Sequence, residues 1–331
     1  MRILLTCAAG KLISKTIKYL REDKNLNNLF IVGVDQKKIK TKKYFDKSYK
    51  IKFNKDYLKN IIKISKINKI NLIIPYSDRE SIFLSKKKIL FKKNKISILT
   101  NSYKVNKKIS NKYTVYNILS KKGIKVPKYF IFKNIVQFKK YIKILGHPEK
   151  NLVIKPVDGI GGRGVIFLKG NKDKLEKWEG KGKREKIVKI NRLNIKSIIK
   201  KYKKLIVMEK LNSPAYDVDY FKYNRKRILS IRQRLNPSGI PYKGNKIIRS
   251  NKIKNYCNRI ADVMKINSLV DLDLLHNKKK EPILLEINPR PSGSVVVNSI
   301  AKFPLLSYVI STILKKKYKI KKLLSTKTIH I

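Results

Sequence analysis

The first hundred or so residues alternate short apolar segments with amphipathic ones, and this alternation limits the folds that the chain can adopt. The predicted strands are residues 2–7, 30–34 and 72–75, and the predicted helices are residues 12–20 and 57–67. Strands and helices that alternate across short turns form a parallel sheet that is covered by helices on both faces. The sequence therefore predicts an α/β, Rossmann-like unit at the start of the chain.

The turn after the first predicted strand contains a single glycine, Gly10. Dinucleotide-binding folds carry three glycines at this turn, because the backbone must approach a pyrophosphate closely. We therefore expect this unit to serve as a scaffold and to lend residues to a neighbouring substrate pocket. The acidic segment Asp78–Glu80, at the start of a predicted helix, is our candidate for that role, together with the loop Tyr242–Asn245.

The chain is strongly basic, with 82 Lys and Arg residues against 21 Asp and Glu residues and a net charge of +61. A charge of this size is typical of proteins that bind nucleic acid. However, most of these residues are lysines, they are spread along the whole chain, and they occur with an excess of Ile and Asn, whose codons share a richness in A and T. We therefore expect incidental affinity for polyanions and no dedicated nucleic-acid partner, and we keep a nucleic-acid-binding protein as an alternative.

Length and cysteine content favour a globular protein of a reducing compartment. A chain of 331 residues with 42% hydrophobic residues can bury the cores of two or three domains. Cys7 and Cys257 are too few and too far apart for a disulfide framework or a zinc site. No signal sequence precedes the first predicted strand, and the longest apolar stretch, Phe303–Leu314, is shorter than a membrane span. We expect a cytoplasmic protein without a membrane partner.

A predicted apolar strand ends in Lys155 and Pro156 and is followed by a glycine-rich segment. The residues of that segment are Gly159, Gly161, Gly162, Arg163 and Gly164. Glycines let the backbone present bare N–H groups to a polyphosphate, and a lysine beside them adds a positive charge. A single lysine in so basic a chain is usually a surface charge. The glycines that follow Lys155 favour a phosphate site instead.

Acidic and amide side chains alternate on two later strands that a short turn connects. Asp271 and Asp273 share one face of the first predicted strand, and Glu286 and Asn288 share one face of the second. Pairing of the two strands would bring these oxygen ligands together. Mg²⁺ is held by few protein oxygens and completes its shell with water and nucleotide phosphates. The glycine-rich segment and this hairpin together predict a site for ATP with Mg²⁺, with Mn²⁺ as an alternative metal.

These segments resemble the ATP-grasp superfamily, and within it the ligases that are similar to the large subunit of carbamoyl-phosphate synthase. The resemblance covers nearly the whole chain. It implies a combined α/β and α+β fold, in which a Rossmann-like pre-ATP-grasp domain is followed by a two-subdomain ATP-grasp fold. The implied boundaries are residues 1–108 for the first domain, 109–205 for the small subdomain with the glycine-rich loop, and 206–331 for the large subdomain with the metal-binding hairpin and a C-terminal helix.

The resemblance also implies which residues bind ATP. Lys112 and Lys155 would contact the phosphates, and the glycine-rich segment would fold over them. The adenine would lie at a hinge between the subdomains, formed by Glu209, Lys210 and Leu211.

The same resemblance assigns the metal ligands and the catalytic residues. Asp273, Glu286 and Asn288 match the ligands of the metal. Arg290 resembles the arginine that neutralises a phosphate or an acyl phosphate, so Arg290 and Lys155 are the catalytic candidates.

The strands that follow depart from the family pattern at one position, and they contain two arginines whose role stays open. Many relatives carry a glutamate that binds the ribose where this chain has Ala215, and Asp217 is our alternative ribose contact. Arg232 and Arg234 alternate on a predicted strand, where they could bind an anionic substrate or equally well be solvated.

The implied reaction is the ligation of a small-molecule carboxylate to an amine or a similar nucleophile through an acyl phosphate. The first alternative is an ATP-grasp protein that acts as a kinase or as a regulatory ATP binder without ligation, and the second is the nucleic-acid-binding protein already mentioned. The expected partners are the two small-molecule substrates, and a homodimer is left open.

Overall fold

The computed structural model describes residues 1–158, 164–172, 185–202, 204–235, 244–320 and 327–329. Within these ranges no helix is both long enough and apolar enough to span a bilayer. Three sheets organise the described residues, and each is covered by helices.

The first sheet is parallel, which confirms the predicted Rossmann-like unit. Its strands are β1 (Arg2–Leu5), β2 (Phe30–Asp35), β3 (Lys47–Lys50), β4 (Leu72–Ile74) and β5 (Ser97–Ile98), and its helices are α1 (Ile13–Glu22), α2 (Tyr57–Ile67), α3 (Asp78–Lys86) and α4 (Lys88–Lys93). The strand order is β3-β2-β1-β4-β5, and all of these strands run in the same direction. The central strands are apolar along their length because helices cover both of their faces.

The second sheet is mostly antiparallel and carries the strand that ends in Lys155. Its elements are α5 (Tyr103–Ile109), α6 (Lys112–Lys121), β6 (Tyr129–Phe132), α7 (Ile135–Ile144), β7 (Leu152–Pro156), β8 (Val165–Leu168), β9 (Glu185–Val188), α8 (Ile195–Tyr202) and β10 (Leu205–Glu209). The order is β6-β10-β7-β8-β9, with a parallel pair only between β8 and β9. The described part of residues 171–204 contains β9 and α8.

The third sheet is antiparallel and carries the acidic hairpin. Its elements are β11 (Asn212–Tyr223), β12 (Lys226–Arg234), β13 (Asn245–Ile248), α9 (Asn251–Met264), β14 (Leu269–His276), β15 (Pro282–Asn288), α10 (Val296–Ile300), α11 (Leu305–Ile313) and β16 (Lys327–Ile329). The order is β15-β14-β11-β12-β13-β16. The predicted hairpin is therefore present as β14 and β15, which pair with each other.

The first and third sheets share one hydrophobic core. Leu5 of β1, Phe221 of β11 and Leu305 of α11 belong to the same cluster of buried side chains. A buried hydrogen bond from the Ser81 hydroxyl of α3 to the Pro289 carbonyl, just after β15, joins the same two parts. Helix α3 is therefore held against the end of the acidic hairpin.

The predicted division of the chain after residues 108 and 205 stays a prediction. The second of these boundaries falls at the first residue of β10, Leu205, and the whole of this strand pairs with β6 and β7 in the second sheet.

Candidate active site

The register of the acidic hairpin places its four polar side chains opposite one another in pairs. Asp271 lies opposite Asn288, and Asp273 lies opposite Glu286. The pairing of the two strands becomes irregular between Asp273 and Leu274, so the polar side chains face each other only up to Asp273. Because directly opposed residues of antiparallel strands lie close together, the hairpin gathers oxygen atoms from both strands at one place.

Helix α6 brings Lys112 to this hairpin. The Nζ atom of Lys112 lies 2.9 Å from Oε2 of Glu286, and Lys112 is buried. Asn111 precedes the helix, and its side chain accepts a hydrogen bond from the Thr114 amide and donates one to Asp158. Burial acts to raise the pKa of Glu286, but Lys112 and further cations outweigh burial and lower it. Glu286 is therefore held as a carboxylate.

Lys155 of β7 is buried behind Lys112. Its Nζ atom donates to the hydroxyl of Tyr116 at 3.1 Å, and that hydroxyl donates to the Leu285 carbonyl at 2.6 Å. Burial and the nearby charge of Lys112 lower the pKa of Lys155 to about 7, although Glu286 and Asp273 oppose this shift. An anion that entered beside Lys155 would favour its charged form.

Arg290 connects the hairpin with the first sheet. Its Nε atom lies 3.2 Å from Oδ1 of Asp78, at the start of α3, and its Nη1 atom donates to Oδ2 of Asp271 at 3.2 Å. Burial raises the pKa of Asp78, and Arg290 opposes that rise. The structure therefore brings Arg290, one of the catalytic candidates, together with the acidic segment that we expected to shape a substrate pocket.

The two arginines of β12 are bound to aspartates and are not solvated. Arg234 contacts both carboxylate oxygens of Asp217, and its Nη2 atom donates to Oδ1 of Asp273 at 2.9 Å. Arg232 is fully buried, and its Nε atom donates to Oδ2 of Asp219 at 2.9 Å. The arginines alternate on β12 as the aspartates alternate on β11, but this spacing does not show in which register the two strands pair.

The cluster of carboxylates has the donor atoms that a divalent cation needs. One oxygen from each of Asp217, Asp271 and Asp273 lies within 4.8 Å of the others. Oδ1 of Asp271 is buried and has no hydrogen-bond partner among the residues that the structure describes. Burial and the neighbouring Asp217 raise the pKa of Asp271 to about 7, because negative charge accumulates there. A cation would relieve this accumulation, so the residues fit a metal such as Mg²⁺. Asp217, our alternative ribose contact, belongs to this cluster of carboxylates.

The glycine-rich segment is described only at its last residue, Gly164. Gly159, Gly161, Gly162 and Arg163 lie outside the described residues. Gly164 has a φ of +77°, and a Cβ atom there would lie 2.8 Å from the Tyr202 hydroxyl. Glycine is therefore the residue that this position accepts without strain. The phosphate-binding role of the segment stays a prediction.

The predicted adenine hinge lies where the second sheet passes into the third. Glu209 ends β10, and its Oε1 atom accepts a hydrogen bond from the Lys128 amide at 2.8 Å. Lys210 follows, Leu211 is buried, and β11 begins at Asn212. The hinge is thus anchored at Glu209, while its contact with adenine stays a prediction.

A cavity of about 670 Å³ opens beside the hairpin. Its lining combines the end of β15 with α5, the start of α6 and the start of α3. The lining residues are Asp78, Ile82, Lys104, Lys107, Lys108, Ile109, Ser110, Asn111, Lys112, Thr114, Asp158 and Glu286–Pro289. A volume of this size is typical of sites for small molecules.

Comparison with known proteins assigns a family to this arrangement. A family model described as "ATP-grasp in the biosynthetic pathway with Ter operon" matches residues 201–329, and one described as "Sugar-transfer associated ATP-grasp" matches residues 92–212. No curated protein matches the sequence significantly.

Solved structures share the fold over almost the whole chain. N5-carboxyaminoimidazole synthetase from Staphylococcus aureus, in complex with ADP, has a TM-score of 0.73 at 14% identity, over 99% of this chain and 81% of that one. Biotin carboxylase from Campylobacter jejuni has a TM-score of 0.70 at 15% identity, over 98% and 73%. L-amino acid ligase from Bacillus licheniformis has a TM-score of 0.66 at 13% identity, over 95% and 74%.

The predicted combination of a Rossmann-like domain with an ATP-grasp fold is confirmed by these likenesses. With the matches of the two family models, they show that the chain belongs to the ATP-grasp superfamily.

Proposed function

We propose that the chain is an ATP-dependent ligase that joins a small-molecule carboxylate to an amine or a similar nucleophile. The observation that carries this proposal is the register of β14 and β15, which sets Asp273 opposite Glu286 and Asn288 opposite Asp271, beside Lys112. Carboxylate, amide and ammonium groups thus converge at one edge of a cavity, as the binding of a metal-bound polyphosphate requires. The names of the structural neighbours, which include a synthetase and a ligase, support the same class of reaction.

The reaction has two steps. An oxygen of the substrate carboxylate attacks the γ-phosphorus of ATP, which forms an acyl phosphate and releases ADP. The amine nitrogen then attacks the acyl carbon, the C–O bond to the phosphate breaks, and inorganic phosphate leaves while the nitrogen loses a proton. In such a reaction the protein mainly aligns the groups and offsets negative charge.

The positively charged residues of the site would act at different points of the substrates. Lys155 lies on β7 of the second sheet, and Lys112 begins α6 beside Glu286; both would hold the phosphates of ATP. Arg290, between Asp78 and Asp271, would meet the acyl phosphate. The adenine would lie at Glu209–Leu211.

Asp273, Glu286 and Asn288 are the residues that would hold Mg²⁺, or Mn²⁺ in its place. Asp271 would join them, because its Oδ1 atom has no partner among the described residues and its carboxylate clusters with those of Asp273 and Asp217. An ion bound there supplies positive charge against the phosphate oxygens.

The test is to screen carboxylates and amines for ADP and phosphate release by the purified protein with Mg-ATP. We expect ADP release to need an added acid, and a coupled product to need an added amine. ADP release with an acid alone, without coupling to any amine, would instead favour the kinase-like alternative.

Variants of the site make the test specific. We expect Glu286→Ala and Lys155→Ala to lower turnover by about 100-fold or more while the protein stays folded. Glu281→Gln is a matched control, because Glu281 lies in the turn of the same hairpin and pairs with the exposed Lys125. Turnover at the wild-type rate by either site variant would refute the assignment.

A further inference from the structure

Three lysines of α5 form one wall of the cavity beside the acidic hairpin. Lys104, Lys107 and Lys108 have the spacing that places side chains on one face of a helix. The helix is anchored by its other face, where Asn106 is fully buried and donates to the Thr100 hydroxyl at 2.7 Å. The lysine face is therefore held in a fixed direction toward the cavity.

Two of the three acidic residues that line the cavity are paired with cations: Asp78 lies beside Arg290, and Glu286 lies beside Lys112. Asp158 accepts a hydrogen bond from the side chain of Asn111, which is neutral and does not offset its charge. Within the part of the chain that the structure describes, no carboxylate lies within ion-pair distance of Lys104, Lys107 or Lys108. The three lysines of α5 therefore outnumber the one lining carboxylate that has no cationic partner among the described residues.

The cavity is lined by two sets of polar side chains. Glu286, Asn288 and Lys112 belong to the proposed site of phosphate transfer, so the reacting carboxylate would lie beside them. The volume of about 670 Å³ leaves room for the rest of a small molecule. A second group of that molecule would meet the lysines of α5, which line the same cavity.

We propose that Lys104, Lys107 and Lys108 bind a second negatively charged group of the carboxylate substrate, either a phosphate or a further carboxylate. This inference rests on the proposed ligase function and specifies its substrate class: acids that carry at least one more anionic group. Lysines act as point charges and accept either group without a fixed geometry.

The lysines of α2 supply a matched control for the overall positive charge. Lys59, Lys63 and Lys66 are exposed on one face of a helix and have the same kind of spacing as the lysines of α5, of which Lys108 is half-buried, but they line a separate surface groove. The triple variant Lys104→Gln/Lys107→Gln/Lys108→Gln and the triple variant Lys59→Gln/Lys63→Gln/Lys66→Gln remove the same charge from the protein. If the two variants differ in substrate binding, the cause is therefore the position of the lysines and not the net charge of the protein.

The experiment measures binding and turnover in both variants. Phosphonoacetate and malonate are titrated by calorimetry into protein that holds Mg²⁺ and a non-hydrolysable ATP analogue. We expect the α5 variant to bind these dianions about tenfold more weakly and the α2 variant to bind them as the wild type does. In turnover, the KM for dianionic acids should rise in the α5 variant, while the KM for acetate and the KM for ATP stay unchanged.

Several outcomes would overturn the inference: no dianion binding by the wild type, equal losses in both variants, or a rise in the KM for ATP in place of the KM for the acid. The last result would mean that α5 binds the nucleotide. The ligase proposal fails separately, if the wild type releases no ADP with any acid. The dianion titration then still decides whether the α5 lysines bind a second anionic group.

Discussion

The Nζ atom of Lys155 lies 3.1 Å from the hydroxyl of Tyr116, and that hydroxyl donates in turn to the Leu285 carbonyl. A lysine of the second sheet is thereby fixed to the last part of β15. The pair leaves the ammonium group buried beside another cation, Lys112, and this explains its lowered pKa. If Lys155 binds phosphate as we propose, the arriving anion would stabilise its charged form.

The lowered pKa of Lys155 predicts that Mg-ATP binding takes up protons. With a pKa of about 7, Lys155 is largely neutral at about pH 8, and the phosphates of ATP would favour its protonated form. Calorimetry in buffers of different ionisation enthalpy should show an uptake approaching about one proton at that pH. Lys155→Arg, which stays charged throughout, should show none. An equal uptake by the variant would assign the proton to another group.

The lowered pKa of Lys155 also predicts how the stability of the ligand-free protein changes with pH. The pKa of Lys155 falls from the ordinary value of 10.5 to about 7 on folding, so the unfolded chain binds more protons between these limits. The buried charge therefore destabilises the fold below about pH 7, and this penalty fades as the pH rises toward 10.5. Lys155→Met should be more stable than the wild type at acidic pH, and the gain should shrink in alkaline urea titrations.

Removal of Arg232 should destabilise the protein strongly. Arg232→Met leaves Asp219 fully buried without the guanidinium that neutralises it, and we expect the free energy of unfolding to fall by about 3–5 kcal/mol. Arg227→Met, which breaks an exposed pair with Asp262, should cost less than about 1 kcal/mol. Urea denaturation measures both. The double variant Arg232→Met/Asp219→Leu should regain most of the loss, and a double variant as unstable as Arg232→Met would contradict this explanation.

Gly123 and Gly164 both have a positive φ, and substitutions at them distinguish the cost of backbone strain from the cost of steric crowding. An alanine at Gly123 meets no atom within 4 Å, so Gly123→Ala should cost only the left-handed strain of about 1 kcal/mol. Gly164→Ala adds contacts of 2.8 Å with Tyr202 and 2.9 Å with Pro156, and should cost about 1–3 kcal/mol more. Thermal unfolding compares the two variants. Equal costs would mean that the neighbours of Gly164 move aside freely.

The contact between Asp78 and Arg290 predicts a role for the first sheet in catalysis. Asp78→Asn removes the charge that holds Nε of Arg290, and we expect kcat to fall about tenfold with an unchanged KM for ATP. Asp56→Asn, at an exposed position just before α2, is the control. Steady-state kinetics with a carboxylate substrate distinguishes them, and a rise in the KM for ATP alone would place Asp78 at the nucleotide instead.

Local patterns explain why much of the fold was predictable. The helix predicted at 57–67 has the same bounds as α2, because its apolar residues follow the helical period. The acidic hairpin was predictable because alternation on β14 and β15 places its polar residues on shared faces. In contrast, β3 reads Lys-Ser-Tyr-Lys and lies at a sheet edge, so it carries no apolar pattern that could have revealed it.

The polar network behind the site could not be predicted to the same extent. Arg232 contacts Asp219, and Arg234 contacts Asp217. These contacts form only because β11 and β12 pair in one particular register. In a chain with so many basic residues, two arginines on a strand carry little information by themselves. Their partners are fixed by tertiary structure, as is the contact that joins Arg290 to Asp78.

Helix α3 contributes Asp78 to the side chain of Arg290 and Ser81 to the backbone at Pro289. An expression fragment that starts after residue 108 would thus lose these contacts with one side of the candidate site, together with most of the hydrophobic core that the first and third sheets share. Shortened versions of this protein should therefore keep the amino-terminal segment attached.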